Sequence, residues 1–320
     1  MNGVVLGFDT SNYRTSAAAV TMDGEVLINQ RTLLPVPEGE RGMRQNEAVF
    51  AHLKQINDIL EPFRSRLKGY SVVAVAASTK PRDPEESYMP VFRVGATIAG
   101  SIADVCDVPF YSTTHQRGHI SAALLGTQLE NENRFLAFHL SGGTTDLLEV
   151  NGQNIKMLGT SCDLHAGQLI DRIGVTMGFP FPSGPYLEKL AENGKSKGLL
   201  GSSLDSQKIN CHLSGAETKA MQWIHMSRMK QEDIACEVFD FLARTTAKMI
   251  RTAAEITGIN RVLIFGGVAS SGLFRSMLTA RCCAFCRKVE LEYGNSDLCG
   301  DNAVGVARIG LNRYLMDTEG

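Results

Sequence analysis

One supersecondary pattern occurs twice in this chain of 320 residues. Near the N-terminus an apolar strand, Val4 to Phe8, runs into a small and polar turn, Asp9 to Thr15. A second strand follows at Ser16 to Thr21, and an Asp-Gly turn at Met22 to Glu25 leads to a third, Val26 to Asn29. The same order returns as strand Phe135 to Leu140, turn Ser141 to Thr145, strand Leu147 to Val150, turn Asn151 to Gln153 and strand Ile155 to Leu158. Such a repeat predicts two related halves. The hairpin tips are rich in Ser and Thr, the second also in Gly, which leaves backbone N–H groups and hydroxyls to face a phosphate. Two such tips facing each other would clamp a nucleotide.

Helical spacing of apolar residues marks Glu47 to Leu67, Arg93 to Val105, Gln168 to Met177, Tyr186 to Glu192 and Glu232 to Thr257. Apolar runs at Val72 to Ala77, Phe110 to Ser112 and Arg261 to Phe265 read as strands. Strands alternating with helices in two halves predict an α/β architecture of two lobes with a cleft between them, ligands gathering at the carboxyl ends of the strands. A length of 320 residues, 43% hydrophobic and 21% charged, suits two globular domains and argues against disorder. The net charge of −2 provides no global basic field, so an RNA partner has to meet a local patch or other subunits. The opening MNGVVLGFDT has neither a basic nor a long apolar segment, and no apolar run approaches about 18 residues, so a cytoplasmic location is expected. The eight cysteines lack regular spacing and read as thiols. Cys282, Cys283 and Cys286 form the one local cluster, without a second pair to complete a metal site.

Four segments can carry chemistry. In T-T-H115-Q-R-G-H119, imidazoles four residues apart on a helix share one face and can share one metal ion; the alternative is a pair of ordinary helix histidines. A zincin peptidase needs a Glu beside the first His, and Gln116 stands there. In L140-S-G-G-T-T-D146, Gly142 and Gly143 allow close approach of an anion while Ser141 and Thr144 add hydroxyls; otherwise this is a plain hairpin turn. In I264-F-G-G-V-A-S-S-G272, Gly266 and Gly267 join a strand to a helix opening near Ser271, a seat for adenosine or phosphate or simply a cap. In G300-D-N-A303, Asp301 can ligate a metal or cap the last helix. No P-loop or Rossmann glycine pattern is present.

In order along the chain, GFDTSNYRTSAAAV, HQRGH, FHLSGGTTDLLEV, SCDLHAGQLIDRIGVTMGFPFPSGPYLEKLAENG, LSGAETKA, IFGGVASSGLFR and CGDNAVGVARIG resemble seven motifs of the TsaD/Gcp family. That family was once described as an O-sialoglycoprotein endopeptidase and later as the tRNA threonylcarbamoyladenosine transferase subunit. The resemblance implies an actin-like ATPase (ASKHA) superfold. Its lobes would be 1–130, with a C-terminal helix 301–320 packing back, and 131–300, each with a mixed sheet opened by a hairpin. It implies one divalent metal, iron or zinc, on His115, His119 and Asp301. His139 falls where archaeal and eukaryotic relatives place a coordinating Tyr, and as the better ligand at neutral pH it suggests a fourth donor. ATP or an acyl-adenylate would be met by Asp9, Ser11, Ser141, Gly142, Gly143, Thr144, Asp171, Gly184, Glu188, Gly266, Gly267 and Ser271.

The implied reaction carries threonylcarbamoyl from an AMP mixed anhydride to N6 of adenine in tRNA, and the implied partner is a TsaB-like subunit or a second copy. The chain departs from the family pattern at several places. Asn12, Tyr13 and Arg14 replace acidic positions, a charged loop KPRDPEESYMPVF replaces G-P-G-L, Glu217 stands for Lys, Thr144 for His, Ser271 for Asn and Leu164 for Asp. These changes raise a second reading, a non-catalytic or regulatory paralogue that binds ATP and metal. A metallopeptidase ranks last.

Overall fold

The computed structural model describes residues 2–11, 13–35, 43–83, 87–285, 288–300 and 302–319. Its first run of elements is β1 (Asn2–Thr10), β2 (Arg14–Thr21), β3 (Val26–Leu33), α1 (Gln45–Arg66), β4 (Tyr70–Lys80), α2 (Phe92–Cys106), β5 (Phe110–Thr114) and α3 (His115–Leu124). The second run is β6 (Arg134–Leu140), β7 (Thr145–Asn151), β8 (Asn154–Thr160), α4 (Ala166–Thr176), α5 (Gly184–Ala191), β9 (Ser203–Leu204), β10 (Cys211–His212), α6 (Ser214–His225), α7 (Gln231–Thr257), β11 (Arg261–Phe265), α8 (Gly272–Phe285) and β12 (Glu290–Tyr293). A last helix, α9 (Val304–Glu319), returns to the first run, so that Met1–Leu125 with Gly300–Gly320 forms one compact unit and Gly126–Cys299 the other.

The repeat seen in the sequence is a repeat of topology. The sheet of unit 1 has the order β3-β2-β1-β4-β5 and that of unit 2 the order β12-β11-β6-β7-β8, one being the other read backwards. In each, the opening strand lies central, antiparallel to its hairpin partner and parallel to the next strand: β1 with β2 and β4, β6 with β7 and β11. Thr10 pairs with Thr15 and Leu140 with Thr145, so the two hairpins close over residues 11–14 and 141–144. By this register Asp9 corresponds to His139 and Ser11 to Ser141.

The apolar runs are buried as expected. Val4, Leu6 and Phe8 pack with Ile56, Ile59 and Phe63 of α1 in unit 1, while Leu136, Phe138 and Leu140 pack with Leu169, Phe239 and Phe274 in unit 2. Each such side chain contributes about 1.5–3 kcal/mol on burial. β3 runs on to Leu33, four residues past the predicted end, because β2 continues to offer it a ladder. The predicted helix near Ser271 opens at Gly272, after a 3-10 turn at Val268–Ser270. The last helix starts at Val304, later than the predicted residue 301, where Asn302 Oδ1 accepts from the Val304 N–H at 3.0 Å. Asp301 and Cys286 lie outside the described residues. No disulfide joins the described cysteines, and among the described residues no helix is long and apolar enough to cross a membrane.

Candidate functional site

In unit 1 the C-terminal end of β1 meets the first turn of α3. Asp9 is fully buried, and both of its carboxylate oxygens lie 3.0 Å from His115 Nδ1. Ser78 Oγ of β4 donates to the same carboxylate. A carboxylate accepts only, so His115 Nδ1 carries the proton and Nε2 is left with its lone pair. His119 Nε2 stands 3.0 Å from His115 Nε2, the rings edge to face. Two imidazole nitrogens each about 2.1 Å from one ion, at a right angle, are about 3.0 Å apart. The carboxylate behind the first imidazole is the support that metal-ligating histidines characteristically have. The donor set therefore fits a metal. Among the described residues no group of three His, Cys, Asp or Glu side chains forms a cage, and the expected third ligand, Asp301, lies outside them.

Several residues that hold this corner carry no sequence signal of their own. Thr10 Oγ1 donates to Val91 O at 2.8 Å and accepts from the Gly95 N–H at 3.0 Å, tying the end of β1 to α2. A Cβ on Gly95 would stand 2.9 Å from that hydroxyl. The substituted loop after β4 acts on α3: Asp83 takes Arg117 Nε and Nη2 at 2.8 and 2.7 Å, and Gln116 N–H donates to Pro81 O at 3.0 Å. That fork fixes the helix turn bearing both histidines. Ser11 follows β1, and its carbonyl lies 2.9 Å from Nε2 of buried His52 in α1. His52 Nδ1 is 2.8 Å from Thr15 Oγ1, which reaches Gln55 Oε1 at 2.7 Å. Burial pushes the His52 imidazole below its usual value, opposed by the Ser11 carbonyl and the Asp9 charge.

In unit 2, Ser141 N–H donates to Thr144 O at 2.8 Å, closing the Ser-Gly-Gly-Thr turn and leaving Gly142 and Gly143 exposed. The N-terminus of α4 presses on it: Gly167 N–H donates to Ser141 O at 3.0 Å, and a Cβ on Gly167 would stand 2.6 Å from Gly142 N. A helix N-terminus behind exposed glycine amides favours an anion. His139, at the end of β6, stacks on Phe265 with centroids 4.6 Å apart. Gly266 has φ +103, and a Cβ there would stand 2.3 Å from Leu140 O, so only glycine fits. Gly267 precedes the 3-10 turn, and Ser271 Oγ caps α8 by accepting from Phe274 N–H at 3.1 Å.

Two carboxylates expected to meet the nucleotide are engaged within the fold. Asp171 Oδ1 accepts from Ser183 N–H at 2.8 Å, just before Gly184 begins α5; burial raises its pKa against the bonds from Ser183 and Gly184. Glu188 Oε1 accepts from Leu273 N–H at 2.9 Å, at the first turn of α8. The departures also have local partners. Glu217 takes Arg172 Nη1 at 3.1 and 3.3 Å. Leu164 is buried in the core, while Asp163 beside it binds Leu213 N–H and Ser214 at the start of α6. Burial opposes ionisation of Asp163, yet these bonds hold its carboxyl below the usual carboxylate range.

Two hairpin-opened sheets of equivalent topology, the second with Gly-rich turns at its strand ends, define a protein of the actin-like ATPase fold. Solved structures agree on the fold. HypF from T. kodakarensis superimposes with TM-score 0.65 at 14% identity over 99% of this chain and 48% of its own. A ROK hexokinase from Thermus thermophilus gives 0.55 at 14% over 99% and 100%. The chain belongs to the TsaD family, tRNA N6-adenosine threonylcarbamoyltransferase, whose pattern matches residues 87–308. It is 31% identical over 277 residues to the tRNA N6-adenosine threonylcarbamoyltransferase of Corynebacterium aurimucosum, covering 81% of this chain and 76% of that one. It is 26% identical over 308 residues to a probable bifunctional tRNA threonylcarbamoyladenosine biosynthesis protein of Methanocaldococcus jannaschii, covering 96% of this chain and 55% of that protein. The chain thus spans about half the length of the bifunctional relatives it matches.

Proposed function

We propose that this chain transfers a threonylcarbamoyl group from an acyl-adenylate to N6 of adenine in tRNA or a related acceptor. His115, His119 and Asp301 hold one divalent metal, iron or zinc, with His139 as a fourth ligand. The observation that carries the metal is the convergence of His115 and His119 Nε2, 3.0 Å apart, with Asp9 behind the first ring. When bound, the metal supplies a Lewis acid toward the phosphate or carbonyl oxygen of the adenylate. Asp9 keeps the proton of His115 on Nδ1 and so the lone pair on Nε2. The amides of Gly142 and Gly143, backed by the N-terminus of α4, bind the phosphate and orient the anhydride. The adenine N6 then forms its bond to the carbamoyl carbon as the bond from that carbon to the AMP oxygen breaks, AMP leaving as the phosphate anion and the displaced N6 proton passing to solvent. A TsaB-like subunit or a second copy is the expected partner, and the tRNA is met outside any global basic field. The chain works in the cytoplasm.

A second reading, a regulatory paralogue that binds nucleotide and metal without transfer, is favoured by the Arg172–Glu217 pair, an acidic group where the resemblance has a lysine. One experiment separates the two. Purified protein with a TsaB-like partner, acyl-adenylate and tRNA is assayed by mass spectrometry of digested nucleosides, with metal content and ATP titration in parallel. Modified adenosine supports transfer; bound metal and ATP without it supports the regulatory reading. Metal retained at wild-type stoichiometry in both His115→Ala and His119→Ala defeats the metal assignment.

A further inference from the structure

A cavity of about 380 Å³ in unit 2 is lined by Lys208, Arg244, Lys248, Arg251 and Arg281 together with Asp205, none of them assigned to the site above. Five cations around one cavity stand out on a chain of net charge −2. Arg244, Lys248 and Arg251 lie along one face of α7, at one-turn spacings where like charges repel. Lys208 comes from the β9–β10 turn and Arg281 from α8.

The carboxylates nearby are too few to neutralise this set. Asp240 serves two guanidinium groups at once, taking Arg244 Nε at 2.8 Å and Arg281 Nη2 at 2.6 Å. Asp205 spends its oxygens on its own turn, accepting from Ile209 N–H at 3.0 Å and Asn210 Nδ2 at 2.8 Å. The carboxylate of Arg251 is Glu255, 3.6 Å away on an exposed side chain and beyond hydrogen-bond distance. Among the described residues, Arg251 Nε and Ser202 Oγ, both from residues lining the cavity, are buried without a hydrogen-bond partner. Lys208 and Lys248 make no ion pair among those residues.

A recessed cavity with guanidinium forks, ammonium groups and an unsatisfied hydroxyl suits a dianion with several acceptor oxygens. The volume lies at the lower end of the roughly 300–1,000 Å³ of small-molecule pockets. Contacts to a nucleic-acid backbone instead recur along an extended surface. We propose that this cavity binds a small phosphorylated molecule through its phosphate, held chiefly by Lys248, Arg251 and Lys208.

The test is isothermal titration of the full chain with inorganic pyrophosphate. Lys248→Ala and Arg251→Gln are compared singly and together, since both spare the Asp240 pairs whose loss would strand a buried charge. Saturable binding is expected in the wild type, weaker by about tenfold in each single variant. It should be lost in the double variant and retained in Lys248→Arg. Absence of saturable binding or equal affinity in the double variant overturns the proposal. So does an RNA oligonucleotide whose binding vanishes in the double variant while pyrophosphate fails to bind the wild type.

Discussion

Substituting Gly305 by Ala perturbs the corner that carries the two histidines without touching either. Gly305 lies in the first turn of α9, and a Cβ there would stand 1.8 Å from Gly118 O and 2.7 Å from Ala122 N, both in α3. An ordinary contact begins at 3.4 Å, so the two helices have to part by about 1.6 Å. Because the obstacle is backbone rather than the end of a flexible side chain, the overpacking cost belongs at the upper end of its range, about 3 kcal/mol. For a unit of this size that lowers Tm by roughly 6–12 °C. Gly118 sits between His115 and His119 in sequence, so the spacing of the two Nε2 atoms should change with it. The assay is thermal unfolding by circular dichroism beside metal stoichiometry. Gly100→Ala in α2 serves as control, because a Cβ there meets nothing within 4 Å. It should be neutral or stabilising by up to about 1 kcal/mol. A Gly305→Ala protein melting within about 1 °C of wild type would refute the reasoning that a bare backbone contact sets the α3–α9 distance.

Other outcomes follow from the same geometry. Gly167→Ala places a Cβ 2.6 Å from Gly142 N and should shift the Ser141–Thr144 turn, weakening ATP by about tenfold or more in titration; unchanged affinity would remove that turn from the nucleotide site. Glu217→Lys sets two cations together where Arg172 now pairs, and urea unfolding should register a loss of about 0.5–1 kcal/mol because the pair is part-exposed. Burial lowers the His52 pKa from its usual 6.5, so between the folded and unfolded values the unfolded chain binds the extra proton. Stability then rises with pH across that window and is lost as pH falls below about 6.5. The urea midpoint of the wild type should therefore drop between pH 7 and pH 5 by more than that of His52→Gln; parallel curves would contradict it.

Hydrophobic period and turn chemistry are local properties, and that is why the duplicated hairpin and the buried strands were legible in the sequence. The partner of each functional side chain was not. Asp9 and His115 are 106 residues apart, and their pairing needs β1 to lie beside β4 in the sheet before α3 can follow. Asp171 and Glu188 are nucleotide contacts that the resemblance implies, and no sequence pattern tells which backbone N–H groups meet the same carboxylates. The fold adds that Ser183 donates to Asp171 and Leu273 to Glu188. The basic cavity gave no local sign either, since Lys208, the α7 cations and Arg281 are scattered along the chain and gather only when α8 packs on α7. The repeat written into the sequence determined two related α/β units with polar strand-end turns. Which charges meet there was decided by close backbone approaches at Gly167, Gly266 and Gly305, where a missing Cβ sets distances that no local pattern encodes.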